Sequence, residues 1–280
     1  MSEVKLILGD CLDVMREMEA DSVDLTVTSP PYDNLRNYDG TYQADSVDWH
    51  AIIAELHRVT SNGGVVVWVV ADATKDGSES GTSFRQALWA RRCKFNLHDT
   101  MIYQSAGTGA KGSNYAYWQT FEYMFVWSKG TPKSVTRIAD IRNSEGGKPH
   151  RFKAKSARLG SRIDRPGIVS PMHSVRPNVW RYAVGQENTM GHPAPFPLAL
   201  AKDHIVSWSN AGDVVFDPFA GSGTTGIAAV QLQRDFLGCE IVPSYHAIAE
   251  KRIAEAQAQP SLFEPATDAS STDGTQSAWF

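Results

Sequence analysis

The sequence predicts an α/β fold with a mostly parallel sheet that helices cover on both faces. Three observations predict it: short apolar runs rich in β-branched residues, helix-like segments between these runs, and a glycine-rich turn after one of them. Such alternation is typical of a parallel sheet buried on both sides. With 280 residues and 42% hydrophobic composition, the chain is long enough to bury one large core.

The first half of the chain contains strands and helices in alternation. Short buried strands are expected over "KLILGD" and "VDLTVTS", with a helix over "CLDVMREMEA" between them. The next helix, over "DWHAIIAELHRVTSNGG", is predicted to end at Gly63 and Gly64, before a buried strand over "VVVWVVA". A helix over "GTSFRQALWARRCKF" and strands over "DTMIYQSAG" and "FEYMFVWSKG" follow.

Residues 131–190 break this pattern. They contain 12 Lys and Arg but 4 Asp and Glu, a local charge of +8 in a chain whose net charge is −4. We predict a loop-rich insert between two parts of one catalytic domain, residues 1–130 and 191–258. A polyanion bound to the insert would explain the asymmetry, and a solvated basic loop region is the simpler alternative.

Regular order returns after the insert. We expect a turn and helix over "HPAPFPLALAKDHIVSWSN", a strand over "DVVFD" and a helix over "GTTGIAAVQLQR". A strand over "DFLGCEI" and a helix over "PSYHAIAEKRIAEAQAQ" complete the domain. Residues 259–280 have no Lys or Arg and many small polar residues, which predicts a disordered tail.

Cysteine usage and hydropathy favour a soluble protein of the cytoplasm. Cys11, Cys93 and Cys239 lie far apart and form no C-x-x-C pair, so neither a disulfide framework nor a metal site is expected. The longest apolar run, residues 65–71, is too short to cross a bilayer, and no membrane partner is expected.

The segment "DVVFDPFAGSGTTG" predicts a nucleoside site. Gly221, Gly223 and Gly226 make a G-x-G-x-x-G pattern between a strand and a helix, and Glu240 follows at the end of the next strand. Glycines allow close approach of the backbone to a ligand, and an acid accepts hydrogen bonds from ribose hydroxyls. The pattern does not distinguish a dinucleotide from another adenosine compound, and a structural glycine turn is the alternative.

The segment "TSPPY" predicts a second functional turn. A strand must stop at Ser29 because prolines cannot donate to a sheet ladder. The Ser29 oxygen and a carbonyl held by Pro30 could accept hydrogen bonds from an exocyclic amino group and make its nitrogen nucleophilic. Pro31 would fix the carbonyl's direction, and Tyr32 would stack on an extruded base. A plain strand terminator is the alternative.

Together, "TSPPY" and the later "FDPFAGSGTTG" resemble the β-type amino-methylating DNA methyltransferases, which methylate cytosine N4 or adenine N6. The resemblance rests on motif order, with the catalytic motif first, a variable segment next and the S-adenosylmethionine motif last. It implies a Rossmann-like methyltransferase fold that uses S-adenosylmethionine. The segments "LILGDCLDVM" and "HPAPFP" resemble the family's N-terminal strand and methionine-side motif.

The resemblance also implies roles for individual residues. Ser29, Pro30, Pro31 and Tyr32 would hold the flipped base. The implied cofactor residues are Asp10, His192, Pro193, Phe196, Asp217, Pro218, Phe219, Gly221, Gly223, Thr224, Thr225 and Glu240. Asp10 would lie near adenine, Glu240 on the ribose, and the two threonines at the carboxylate. Helix capping is the alternative for the threonines, and purely structural roles are the alternatives for Asp10 and His192.

Serine at the first motif position resembles the N4-cytosine subset, so cytosine is the expected target and adenine N6 is the alternative. Double-stranded DNA is expected to bind the basic insert. The candidate DNA-binding residues are Lys148, Arg151, Lys153, Lys155, Arg158, Arg162 and Arg165.

Other partners and other classes remain open. The segment "QPSLF" (residues 259–263) resembles a bacterial sliding-clamp peptide, and a homodimer or a cognate restriction enzyme would also fit. Because the glycine pattern fits either adenosine cofactor, a nicotinamide-dependent oxidoreductase is the first rival. A non-catalytic DNA-binding regulator and methylation of RNA or of protein glutamine are the others.

Overall fold

A computed structural model describes residues 2–31, 47–106, 117–150, 153–155, 162–164, 168–183 and 196–259. The first half of the chain supplies the elements β1 (Val4–Leu8), α1 (Cys11–Glu17), β2 (Val23–Thr28), α2 (Trp49–Val59), β3 (Thr60–Val70), β4 (Thr74–Lys75), β5 (Ser78–Glu79), α3 (Thr82–Arg92), β6 (Asn96–Ala106) and β7 (Phe121–Ser128).

The second half begins with short strands and ends with alternating helices and strands. Its elements are β8 (Ile141–Arg142), β9 (Pro149–His150), β10 (Lys153–Lys155), β11 (Arg162–Asp164), β12 (Ile168–Val169), β13 (His173–Ser174), β14 (Val179–Ala183), α4 (Leu198–Trp208), β15 (Val214–Asp217), α5 (Thr224–Gln231), β16 (Asp235–Glu240) and α6 (Pro243–Ala258).

Eight strands form one sheet in the order β1-β16-β15-β2-β3-β7-β6-β14. Strand β7 runs antiparallel to β3 and to β6, and the other neighbouring pairs are parallel. The predicted α/β fold with a mostly parallel sheet is therefore confirmed. The order also makes β15 and β2 neighbours, although almost 190 residues separate them in the chain.

Two hydrophobic cores lie on the two faces of the sheet. Helices α4, α5 and α6 pack against one another on one face, and α1, α2 and α3 pack on the other. Alternation along β3 serves both layers, since Val65, Val67 and Val69 belong to the first core while Val66, Trp68 and Val70 belong to the second. Trp68 and Trp127 stack in the second core with ring centroids 5.3 Å apart.

The predicted helix end at Gly63 and Gly64 is wrong, because α2 ends at Val59 and both glycines lie in β3. The Lys129 ammonium donates to the carbonyls of His57 and Thr60 (both 2.9 Å) and thereby satisfies the end of the helix. Gly64 is needed for space, since a Cβ there would lie 2.7 Å from Cγ2 of Thr60.

The predicted insert is joined to the catalytic domain at both ends. Near its start, Lys133 Nζ donates to Asp24 of β2 (2.6 Å) and to Asp213, directly before β15 (3.3 Å). Near its end, β14 pairs with β6 as an outer strand of the main sheet. Both ends of the predicted insert are thus bonded to residues of the predicted catalytic domain, and its boundaries stay a prediction.

Arg176 ties the insert to α4. Its guanidinium donates to both carboxylate oxygens of Asp140 and to Asp203, which also accepts from the Tyr182 hydroxyl at 2.7 Å. Like Lys133, Arg176 contributes to the basic count of the insert but is bound to carboxylates of the protein itself. Within the described ranges, no helix is both long and apolar enough to cross a membrane.

Candidate active site

The two sequence motifs leave the sheet side by side. Strands β2 and β15 run parallel, with Val215 opposite Leu25 and Phe216 opposite Thr26. Ser29 follows β2 directly, and the glycine loop follows β15. Because the carboxyl ends of parallel strands meet at one edge, both motifs lie at the same edge of the sheet.

Strand β2 ends at Thr28, directly before the catalytic motif. Pro30 is buried, whereas Ser29 and Pro31 are partly exposed. Two consecutive residues without an N–H cannot donate to the ladder, and the strand ends before them. Tyr32 lies outside the described residues, so its expected stacking role stays a prediction.

Asp217 joins the catalytic strand to the cofactor loop. Its Oδ1 accepts a hydrogen bond from the Thr28 hydroxyl at 2.6 Å and another from the Phe219 amide at 3.0 Å. Burial raises the pKa of this carboxyl to about 6, although the hydrogen bonds oppose the change. Asp217 is only 2% exposed, so its carboxyl group bonds to groups of the protein interior and supports the loop from the buried side. Pro218, the next residue, is buried as well.

Glu240 and Arg252 hold the glycine loop from two sides. The Glu240 carboxylate accepts from the amides of Gly221 and Val242, both at 2.8 Å. Arg252 on α6 donates to the Ser222 carbonyl at 2.6 Å. Burial raises the pKa of Glu240, while the amide hydrogen bonds lower it. Glu240, which is predicted to bind the ribose, therefore also fixes the conformation of the glycine loop.

The glycines of the loop have different tasks. Gly221 and Gly223 adopt left-handed φ values of 52° and 82°, which favour glycine. A Cβ on Gly223 would lie 3.0 Å from Cβ of Ala249, and one on Gly226 would lie 2.6 Å from Cδ1 of Ile253. These two glycines therefore allow α5 to approach α6 closely.

The two threonines at the start of α5 are not equivalent. The Thr225 hydroxyl donates to the Val27 carbonyl of β2 at 3.1 Å, so this side chain is structural. The Thr224 hydroxyl is buried and has no hydrogen-bond partner among the described residues. A buried polar atom beside the free N–H groups of a helix start is suited to a carboxylate, such as that of S-adenosylmethionine.

Two exposed apolar side chains lie at the ends of β1 and β16, near Asp10 and Glu240 in the chain. Leu8 lies opposite Glu240 in the β1–β16 ladder and is 50% exposed, and Ile241 is 38% exposed. Sequence reasoning missed both residues, since a strand end gives no signal for exposure. Asp10, which it had selected, caps α1 by accepting from the Leu12 amide at 2.7 Å. Asp10 thus has a structural contact, and its expected place near adenine stays a prediction.

The remaining predicted site residues are only partly described. Phe196 is partly buried and packs against the first core, just before α4. His192 and Pro193 lie outside the described residues. Phe219 contacts the edge of Trp68, with ring centroids 6.3 Å apart.

The predicted DNA-binding segment forms short antiparallel ladders. Lys155 pairs with Arg162, and Lys153 pairs with Asp164, in the β10–β11 ladder. Lys148 forms an exposed ion pair with Glu145 at 3.2 Å. Arg151, Arg158 and Arg165 lie outside the described residues.

An α/β sheet with an adenosine-type glycine loop beside a proline-rich turn fits an enzyme that uses a nucleoside-containing cofactor and acts on an amino group. The family model described as DNA methylase, for N6 and N4 enzymes, matches residues 23–251. The chain therefore belongs to this family of DNA methyltransferases.

Similar proteins agree with this assignment. The orphan methyltransferase M.BamHII of Bacillus amyloliquefaciens is 46% identical over 256 residues, which cover 88% of this chain and 90% of that protein. The DNA adenine methyltransferase YhdJ of Escherichia coli is 30% identical over 266 residues, covering 90% of this chain and 83% of the relative.

Solved structures show the same fold. The putative DNA modification methylase TTHA0409 of Thermus thermophilus, complexed with S-adenosyl-L-methionine, is 26% identical with a TM-score of 0.60; the match covers 92% of this chain and 98% of that one. The cytosine-N4-specific PvuII DNA methyltransferase has a TM-score of 0.66 at 19% identity, with coverages of 94% and 89%, and supports the fold alone.

The predictions of class, fold and cofactor are confirmed: the protein is an S-adenosylmethionine-dependent DNA methyltransferase of the N4-cytosine/N6-adenine class. The oxidoreductase and non-catalytic alternatives are thereby removed. The roles of individual site residues and the target base stay predictions.

Proposed function

We propose that this enzyme methylates the N4 amino group of cytosine in double-stranded DNA. Ser29, directly before Pro30, carries the proposal, because serine at this position resembles the N4-cytosine subset. The amino nitrogen of cytosine is a poor nucleophile, since its lone pair is delocalised into the ring. Hydrogen bonds from its two N–H groups to oxygen acceptors would favour a pyramidal, reactive nitrogen.

In this proposal the residues at the ends of β2 and β15 position the target base and the cofactor and polarise the amino group of the base. Ser29 and the carbonyl held by Pro30 accept the two amino hydrogens, and Tyr32 stacks on the extruded base. Thr224 and the start of α5 hold the cofactor carboxylate, and Glu240 accepts from the ribose hydroxyls. Leu8 and Ile241 provide apolar contacts for the adenine ring. The cofactor, when bound, supplies an electrophilic methyl group on a sulfonium.

The target base can be identified directly. DNA methylated by the purified enzyme is digested to nucleosides, and the products are analysed by mass. N4-methylcytosine is the expected product, and N6-methyladenine alone would overturn the proposal. Adenine N6 is the second candidate, because a relative that is 30% identical is a DNA adenine methyltransferase.

We also propose that the segment containing β10 and β11 binds DNA. Support comes from the excess of Lys and Arg in residues 131–190 and from the pairing of the Lys153–Lys155 strand with Arg162–Asp164. Phosphate contacts supply salt-dependent affinity, whereas Arg contacts to guanine edges supply sequence discrimination. Sequencing of methylated sites in a host expressing the enzyme would define the recognition sequence.

The finer partner proposals have separate tests. Sedimentation of the enzyme with and without DNA would distinguish a homodimer from a monomer. If a cognate restriction enzyme exists, DNA methylated by this enzyme should resist cleavage by that restriction enzyme.

If "QPSLF" binds a sliding clamp, deletion of residues 259–280 should abolish capture of the clamp; unchanged capture would exclude this role. Activity on chromosomal DNA would place the enzyme in the bacterial cytoplasm.

A further inference from the structure

The backbone ladder between the catalytic strand and the cofactor strand stops short of both motifs. Strands β2 and β15 pair at Leu25 and Thr26, and no register pair between them extends beyond these residues in the described structure. On its other side, β2 stays paired with β3 as far as Thr28 opposite Trp68. Backbone pairing alone therefore does not hold Ser29 against the glycine loop.

Side-chain hydrogen bonds connect the two strands where the ladder has stopped. The Thr28 hydroxyl donates to Asp217 Oδ1 at 2.6 Å, and the Thr225 hydroxyl of α5 donates to the Val27 carbonyl at 3.1 Å. The Thr28, Thr225 and Asp217 side chains are at most 2% exposed, so water competes little for these bonds.

Asp217 also forms a hydrogen bond to the glycine loop that follows β15. The oxygen that accepts from Thr28 also accepts from the Phe219 amide at 3.0 Å, at the beginning of the loop. One carboxylate oxygen thus joins the last residue before Ser29 to the first turn of the loop.

We infer that Thr28 is a positioning residue for methyl transfer: through Asp217, its hydroxyl sets the separation between the base-holding turn and the methyl-donor loop. The inference rests on the proposed role of Ser29 and Pro30 but not on which base is methylated. Transfer requires an in-line approach of nitrogen to the methyl carbon, and a misplacement of about 1 Å can cost about 100-fold in rate.

The substitution Thr28→Val tests this inference, because it removes the hydroxyl and keeps the shape. Thr26→Val is a matched control from the same strand: both threonines are fully buried, but the Thr26 hydroxyl has no hydrogen-bond partner among the described residues. The methyl-transfer rate is measured in a single turnover at saturating S-adenosylmethionine and DNA, and the Kd of each is measured separately.

We expect Thr28→Val to lower the single-turnover rate about 10- to 100-fold while both Kd values change less than about threefold. Thr28→Ser, which keeps the hydroxyl, should restore most of the rate, and Thr26→Val should match the unmodified enzyme. A Thr28→Val rate within twofold of the Thr26→Val rate would overturn the inference. So would a loss confined to the Kd of S-adenosylmethionine.

Two further variants keep the result interpretable. If Thr28→Val fails to fold, Thr28→Cys carries the test, since its thiol is a weaker donor; a rate equal to that of Thr28→Ser would then contradict the inference. Ser29→Ala separates this inference from the proposed function. Full activity of Ser29→Ala would overturn the proposed role of the turn, whereas its loss with an unaffected Thr28→Val would overturn the positioning role alone.

Discussion

The edge of the sheet where β2 and β15 end, here called the catalytic edge, differs from the basic insert (residues 131–190) in how polar groups are held. At the edge, Thr28, Asp217 and Glu240 are buried and form hydrogen bonds to specific partners. In the insert, the ladders of β8 to β13 are two or three residues long, and apolar side chains such as Val169 and Met172 are 59% exposed. The difference matches the proposed tasks: methyl transfer would require fixed distances, whereas DNA recognition by the insert would require accessible donors.

The largest effect is expected from Ser29→Ala at the catalytic edge. Loss of one acceptor for the amino group should lower the methyl-transfer rate roughly 100-fold or more, as measured by transfer of a radiolabelled methyl group to DNA. Ser22→Ala is the control, because that hydroxyl donates to the Glu19 carbonyl in an outer turn. If both variants transferred methyl groups equally well, the edge would not have the role proposed for it.

The second prediction concerns how the burial of Asp217 changes the free energy of unfolding with pH. Because burial raises its pKa from 3.8 to about 6, the folded state binds the proton more tightly than the unfolded state. The stability contribution is therefore present at acid pH and is lost as pH rises from about 4 to about 6. The difference of about 2 in pKa corresponds to about 3 kcal/mol.

The measurement is the free energy of unfolding in urea at about pH 4 and at about pH 7.5, on either side of this pKa range, for the unmodified enzyme and for Asp217→Asn. His204, whose burial lowers its pKa to about 3, changes stability in the opposite direction with pH. The difference between the two proteins therefore isolates Asp217. We expect it to shift in favour of Asp217→Asn at the higher pH; a constant difference would show that the carboxyl is not perturbed.

A smaller effect is expected from Gly226→Ala, where α5 packs against β16 and α6. The new Cβ would lie 2.6 Å from Cδ1 of Ile253 and 2.7 Å from Cε1 of Phe236, and this overpacking should cost about 1–3 kcal/mol of unfolding free energy. Gly9→Ala is the matched control, because nothing lies within 4 Å of its added Cβ. Equal urea midpoints for the two variants would contradict the close packing.

The smallest effect of a single substitution is expected in the insert, on the affinity for DNA and its salt dependence. Replacement of Arg151 or Lys155 by Gln should weaken binding to all DNA sequences alike and lower the slope of log K against log salt by about 1 for each substitution. Lys251→Gln, on the exposed side of α6, is the control and should leave the slope unchanged. A loss confined to one sequence would indicate a base contact instead and would sharpen the contrast with the edge.

Local patterns predicted most of the elements correctly, because they depend on nearby residues. β-branched runs and prolines placed β2 and β3, and the glycine turn placed β15 and α5. The end of α2 was not predictable in this way, since Lys129, some 70 residues away, satisfies its carbonyls. The same limit applies to the insert, where Lys133 and Arg176 were counted as free charges but bind carboxylates of the fold.

By itself, the sequence determined the class of enzyme and the cofactor, through the resemblance of two motifs to a known family. It also located both motifs, because each is a short run of adjacent residues. Only the tertiary structure decided which polar groups meet. Thr28 and Asp217 are 189 residues apart, and they form a hydrogen bond because β2 and β15 are neighbours in the sheet. Strand order, which arises from packing both faces of the sheet, thus places the two motifs side by side at one edge of the sheet.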